Sequence, residues 1–146
     1  MAILRLDHIS VVVDDLEGAI DFFTELGMTV EGRMPIEGPW VDQVNGIEHV
    51  QVEIVMMTTP DGHGRLELTK FRNPDLIEIQ PAVAPPNALG LRSVMFTVDS
   101  VDDTLARLQA KGAELIGEVT YYEDIYKLCY TRGPAGIIVA LAEELR

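Results

Sequence analysis

The sequence predicts an α+β fold of two tandem βαβββ units, with mixed sheets and helices on the outer faces. Three observations carry this. The chain repeats itself: Leu6–Asp14 lies over Leu91–Asp99 at an offset of 85 residues, and without a gap Leu16–Gly27 falls on Val101–Gly112. Each copy opens with a strand pattern of period two and passes into an apolar stripe at helical spacing. Each copy then offers three further strand patterns, and runs of strands after a single helix mark an α+β class.

In the first strand Ile9, Val11 and Val13 share one face, and His8, Ser10 and Val12 the other. In its repeat Val94, Phe96 and Val98 oppose Ser93, Met95 and Thr97. The continuously apolar set is expected to meet a covering helix. Asp14 or Asp15 can cap the first helix, whose stripe is Leu16, Ala19, Ile20, Phe23 and Leu26, with Gly27 ending it as a left-handed cap. In the second copy Ser100 is the cap, with Asp103 three residues on; Val101, Leu105 and Leu108 form the stripe, and Gly112 ends the helix.

The remaining strands of the first copy are expected at Met28–Met34, Val50–Thr59 and Arg65–Phe71, the last two joined by the turn Pro60-Asp61-Gly62-His63-Gly64. Those of the second copy fall at Glu114–Tyr122, Tyr126–Thr131 and Ile137–Ala142, with Gly133-Pro134-Ala135-Gly136 as the last turn. Pro35–His49 reads as an irregular loop over a pocket mouth. Residues 72–89, with Pro74, Pro81, Pro85 and Pro86, read as a linker. The expected organisation is one domain over residues 1–146, with a first unit at 4–71 and a second at 90–146. The two uncovered sheet faces are expected to form a cup-shaped pocket.

Composition narrows the function. A hydrophobic fraction of 47% with 24% charged residues suits a globular chain that buries a core without staples. The only cysteine, Cys129, rules out an intrachain disulfide and fits a reducing compartment; a lone strand cysteine is read as a small buried side chain before a nucleophile. A net charge of −13 repels nucleic acid and anionic membranes, though it could attract a cationic ligand. Charges come early at the N-terminus and no apolar run is long enough to span a bilayer, so the expected location is cytoplasmic. There is no GxSxG, CxxC, P-loop or dinucleotide fingerprint.

Leu6-Asp7-His8-Ile9, Asp14-Asp15-Leu16-Glu17 and Phe22-Phe23-x-x-Leu26-Gly27 resemble the first unit of the glyoxalase/bleomycin-resistance/dioxygenase superfamily, the vicinal oxygen chelate fold. Gly112-Ala113 and Pro134-Ala135-Gly136 resemble its second unit. The resemblance covers nearly the whole chain. It implies a metal position on the first and last strand of each unit. Here those positions hold His8 and Glu67 in the first unit, and Ser93 and Ala140 in the second. Alanine cannot coordinate and neutral serine is a poor ligand for a divalent transition metal. Catalytic zinc sites use three protein ligands, and a ring-cleaving non-haem iron needs two histidines and a carboxylate. The chain thus keeps half a metal site, and a ring-cleaving dioxygenase is disfavoured.

Other pocket candidates are Ser10, Arg65, Thr69 and Phe71 from the first unit, and Met95, Thr97 and Ile138 from the second, beside Ser93 and Ala140. Glu143 would need a three-residue slip, which reverses strand parity. Tyr121, Tyr122, Tyr126 and Tyr130, with Glu123 and Asp124, could hold a cationic or ring-bearing ligand, or pack a hairpin or a dimer face. His49 and His63 read as loop histidines. Three functions compete. One is a binding protein of the bleomycin-resistance kind that takes a small organic molecule without a cofactor. Another is a glyoxalase-type lyase or isomerase in which His8 and Glu67 bind a divalent metal, or Glu67 acts as catalytic base. The third is a structural protein whose cup is filled by its own side chains. The resemblance also implies a homodimer.

Overall fold

The computed structural model describes residues 2–146. The chain divides into two compact units, with the boundary between Ile77 and Glu78.

The first unit runs β1 (Ile9–Val12), α1 (Leu16–Leu26), β2 (Thr29–Glu37), α2 (Pro39–Asn45), β3 (Gln51–Thr58) and β4 (Arg65–Asn73). Its sheet has the order β1-β4-β3-β2. The β1–β4 pair is parallel and the other two pairs are antiparallel. Asp15, not Asp14, caps α1: its carboxylate accepts from the Gly18 N–H at 2.9 Å. Asp14 accepts instead from Lys70 Nζ at 2.9 Å. Gly27 closes α1 at φ 122°, a conformation that glycine adopts without strain. Leu16, Ala19, Phe22 and Phe23 are the buried face of α1. Val11, Val13, Val55, Met57, Leu66 and Leu68 are buried too, by the alternation expected of a half-covered sheet.

Residues 35–49 correct the sequence reading. β2 continues through Pro35 to Glu37 instead of ending at Met34. Pro35 is tolerated there because β2 is an edge strand. Its partner is Glu53 on β3. Pro39 then starts α2, where its missing N–H costs nothing. Val41 of α2 packs with Val50 and Val52, flanked by Ile36, Ile54 and Phe71. The Asp42 carboxylate ties α2 back by accepting from the His49 and Val50 N–H groups at 2.9 and 2.8 Å.

The second unit runs β5 (Ser93–Thr97), α3 (Val101–Ala110), β6 (Glu114–Tyr122), β7 (Tyr126–Arg132), a 3₁₀ turn at Pro134–Gly136 and β8 (Ile138–Glu144). Its sheet has the order β5-β8-β7-β6, the same topology as the first. Ser100 caps α3 by accepting from the Asp103 N–H at 3.2 Å. The helix closes at Lys111, one residue earlier than the cap expected at Gly112, which follows with φ 97°. Val101, Leu105 and Leu108 of α3 are buried, as are Cys129, Thr131, Val139 and Leu141.

The expected linker is also revised. β4 takes two of its residues, ending at Asn73. From residue 78 onward the segment groups with the second unit while holding no helix or strand before β5. Arg132 Nη1 donates to the carbonyls of Ala84 and Gly136 at 2.8 and 2.9 Å. Among the described residues no helix is long and apolar enough to cross a membrane.

Candidate functional site

The open face of the first sheet gathers the polar candidates. The β1–β4 register sets Ser10 beside Glu67 and Val12 beside Thr69. On β3, Met56 stands beside Glu67 and Ile54 beside Thr69. Glu67 Oε1 accepts from Thr69 Oγ1 at 2.9 Å and from Ser10 Oγ at 3.4 Å. Glu67 Oε2 lies 3.3 Å from His8 Nε2. The two side chains keep 20% and 30% of their surface exposed, so a ligand can reach both.

A chain of charged groups holds His8 from behind. His8 Nδ1 lies 2.7 Å from Asp7 Oδ2. A carboxylate can only accept, so Nδ1 carries the hydrogen and donates it. Asp7 also accepts from Arg65 Nη1 at 3.1 Å and from Arg5 Nη2 at 3.3 Å. Arg65 grips Glu31 with two donors, Nε at 3.1 Å and Nη2 at 2.7 Å. The hydrogen bond from His8, aided by the Arg65 charge, holds the Asp7 carboxyl below its ordinary range. The bond from Arg65 lowers Glu31 in the same way, and Glu31 raises Arg65.

Asp7 and Glu31 were not among the sequence candidates. Strict alternation puts Asp7 on the face opposite His8. However, β1 starts only at Ile9, so both residues precede the strand and escape its period. Glu31 sits where the β2–β3 register shifts between Val30 and Gly32, and a bulge re-aims its side chain. Only the pairing of Asp7 with His8 in sequence could have pointed to either.

The donor set does not fit a resident metal. His8 Nε2 and Glu67 converge, and Asp7 on the opposite imidazole nitrogen is compatible with ligation through Nε2, so the shortfall lies in the number of donors. Among the described residues no group of three His, Cys, Asp or Glu side chains is arranged to hold an ion. Arg65 is committed to its two carboxylates, and Phe71 packs against the α2 cluster.

The second sheet carries the other candidates on one face. Ser93 pairs with Ile138, Met95 with Ala140 and Thr97 with Ala142. Tyr130 pairs with Ala140, and Leu128 with Ala142, on the far side of β8. Ile138 and Ala140 are buried, Ser93 is part-buried, and Met95 and Thr97 are exposed. Glu143 turns to the helix side, where Oε1 accepts from the Val101 N–H at 2.8 Å. The tyrosines split: Tyr122 faces Tyr126 across the hairpin, whereas Tyr121 lies under Lys127 Nζ at 5.4 Å. Lys127 pairs with Asp102, and Arg146 with Asp124. His49 and His63 lie in loops.

Comparison with known proteins gives a consistent result. The family model of the Glyoxalase/Bleomycin resistance protein/Dioxygenase superfamily matches residues 5–141. A crystallised glyoxalase family protein from Bacillus cereus is 50% identical, with a TM-score of 0.95, covering 100% of this chain and 99% of its own. An antibiotic binding protein from Streptomyces is 23% identical with a TM-score of 0.62, covering 99% and 98%. A glyoxylase/bleomycin resistance protein/dioxygenase domain from Frankia is 17% identical with a TM-score of 0.65, covering 98% and 99%. The last two likenesses show the fold alone. No curated protein matched the chain.

Proposed function

The chain belongs to the Glyoxalase/Bleomycin resistance protein/Dioxygenase superfamily, and on that premise we propose that its first unit binds a small organic molecule without a resident metal. One observation carries the reading. His8 Nε2 and Glu67 Oε2 meet at 3.3 Å on a partly exposed sheet face, and among the described residues no third His, Cys, Asp or Glu completes a metal site with them. Val12 and Met34, 46% and 55% exposed, with the part-buried Met56, supply apolar ground near this polar pair. Ligand sites commonly join apolar walls to a few placed polar groups. The Streptomyces neighbour is described as antibiotic binding, so this fold has served such a role elsewhere. The net charge of −13 argues against nucleic acid and anionic membranes as partners. A cytoplasmic homodimer goes with this reading, and light scattering on the purified chain checks the dimer.

The test is a thermal-shift screen of small organic molecules on the wild type, His8→Ala and Glu67→Gln. Compounds that stabilise the wild type and lose their effect in either variant support the proposal. A library that stabilises nothing, or hits that stabilise all three proteins equally, sinks it.

A second reading is a glyoxalase-type lyase or isomerase with Glu67 as general base in a metal-free proton transfer. It draws on Thr69 and Ser10, which anchor Oε1 and leave Oε2 turned toward His8. A metal-dependent version finds less support, because among the described residues only His8 and Glu67 converge as ligands. Turnover of a carbonyl substrate that survives chelator and disappears in Glu67→Gln would move this reading ahead of binding.

A further inference from the structure

Arg92, just before β5, stands apart from the other cations of the chain. In the first unit Arg5, Arg33, Arg65, Lys70 and Arg72 all pair with carboxylates. In the second, Lys127 and Arg146 do the same, Arg132 donates to two carbonyls, and Arg107 and Lys111 are engaged as well. Among the described residues nothing serves the Arg92 guanidinium, although acidic residues outnumber basic ones 24 to 11. Its Nε is shut off from solvent and has no hydrogen-bond partner. Folded chains rarely leave a buried N–H in that state. A guanidinium keeps its charge at any ordinary pH, so the charge is both uncompensated and partly desolvated.

The tip of the side chain is open. Of the three guanidinium nitrogens only Nε is buried without a partner, so the two Nη groups face outward. A Cβ at Gly90 would stand 3.7 Å from Nη2, and Gly90 is itself exposed. The approach to the tip therefore passes a residue without a side chain. Leu89 and Leu91 flank that glycine and are 98% and 66% exposed. The arginine's backbone is anchored, because its carbonyl accepts from the Ile138 N–H at 3.3 Å.

The repeat shows what the second unit has dropped around this position. At the offset of 85, Arg92 stands where the first unit has Asp7, and Gly90 where it has Arg5. By the matching registers Ile138 takes the place of Arg65, and Ala140 that of Glu67. The first unit places carboxylates and cations together here. The second keeps one cation and puts no carboxylate at the equivalent positions.

We infer that Arg92 is an anion site whose Nη groups donate end-on to the carboxylate of a small organic acid, with the apolar body of that acid on Leu89 and Leu91. A guanidinium matches a carboxylate through two parallel hydrogen bonds. With its Nε edge already dry, water competes less for the charge. Nothing in this depends on the His8–Glu67 pair. A carboxylate on a second copy of the chain has the same chemistry, and the experiment separates the two sources.

The probes are benzoate, benzyl alcohol and benzylamine, three compounds of similar shape and different charge. Each is titrated into the full chain at pH 7.5, and amide chemical shifts are followed by NMR. A surface of net charge −13 favours the amine over the anion wherever binding is non-specific, so a preference for benzoate is a demanding result. Benzoate is expected to bind about tenfold more tightly than benzyl alcohol, the scale of a charge-assisted pair over a neutral one. Its shifts are expected to centre on the amides of residues 89–93. In Arg92→Gln the preference disappears, and in Arg92→Lys, which keeps the charge, a preference remains. Each variant's own amide spectrum checks its folding, and the wild-type shift map gives an answer even where Arg92→Gln does not fold. Equal binding of benzoate and alcohol, shifts confined to other residues, or a preference that survives Arg92→Gln overturns the inference. Light scattering of wild type and Arg92→Gln distinguishes the sources. Equal masses support a free organic acid, whereas a mass that halves in the variant assigns the carboxylate to a second copy and overturns the small-ligand site.

Discussion

Glu143 lies three residues beyond Ala140 and was the one carboxylate that could have completed the second unit's half of a metal site. The structure gives it other work. Its Oε1 accepts from the Val101 N–H at 2.8 Å, at the first turn of α3, where Val101 itself is fully buried. That N–H has no partner within the helix, because the first turn of any helix leaves its amides unpaired. Glu143→Ala strands the donor and removes a negative charge from the positive end of the helix dipole. A hydrogen bond to a charged group contributes about 1.5–3 kcal/mol. A charge at a helix terminus contributes about 0.3–1 kcal/mol. The two overlap, so the expected loss is about 2 kcal/mol. For a chain of this size that lowers Tm by about 4–8 °C. Glu143→Gln keeps an acceptor and loses only the charge, and should cost about half as much. Urea denaturation followed by circular dichroism measures both. An Ala variant within about 0.5 kcal/mol of wild type would refute the reasoning. So would a Gln variant as unstable as the Ala variant, since the acceptor would then contribute nothing.

Gly136 has φ 79°, and a Cβ there would stand 2.7 Å from the Ala82 carbonyl oxygen. Gly136→Ala is therefore expected to lower unfolding free energy by about 2 kcal/mol or more in denaturant titrations, strain and clash acting together. Cys129 is 3% exposed, and burial raises its thiol pKa from the ordinary value. Iodoacetamide at pH 8 should label it slowly in the native protein and fully in urea. The Asp7 carboxyl is held below its ordinary pKa of 3.8, first by its bond to His8 and then by Arg65. Its contribution is complete above the unfolded value and is lost as pH falls through the folded one. Asp7→Asn should thus flatten the fall of stability below about pH 4, and parallel acid-denaturation curves would count against the network.

Strand positions, parity and the repeat were legible because each rests on local periodicity. Ile9, Val11 and Val13 announce a covered face, and the Pro60–Gly64 turn announces its hairpin. The sharing of one face by Ser10, Glu67 and Thr69 followed from parity and register, whereas His8, just before β1, is tied to them by its 3.3 Å approach to Glu67. What stayed hidden had non-periodic causes. α2 is seven residues long, too short to show a helical stripe, and its stability comes from Val41 packing and the Asp42 anchor. The extension of β2 through Pro35 depends on its being an edge, a fact of topology. Asp7 and Glu31 reach the site because one precedes its strand and the other sits on a bulge. Partners set by such irregularities leave no mark on the hydrophobic pattern.

The repeat offset also shows that the polar site is a property of one copy, held by residues that differ together. His8, Ser10, Glu67 and Thr69 correspond to Ser93, Met95, Ala140 and Ala142 by the repeat offset and the matching strand registers. Glu67 is stable on its sheet because Thr69, Ser10 and His8 surround it and solvent reaches it. Ala140 is fully buried, and its register neighbours Met95 and Tyr130 include no cation. Ala140→Glu would place a carboxylate there without those partners. An uncompensated buried charge costs about 3–5 kcal/mol. The group would escape part of this by holding its proton, which raises its folded pKa above the unfolded value of about 4.3. The destabilisation should therefore grow as pH rises from 4 to 7. Ala140→Met, which adds volume without charge, supplies the steric baseline and should show no such pH dependence. If Ala140→Glu and Ala140→Met lost equal stability at both pH values, the second sheet would tolerate the charge. The loss of the pair from that copy would then need a cause other than burial.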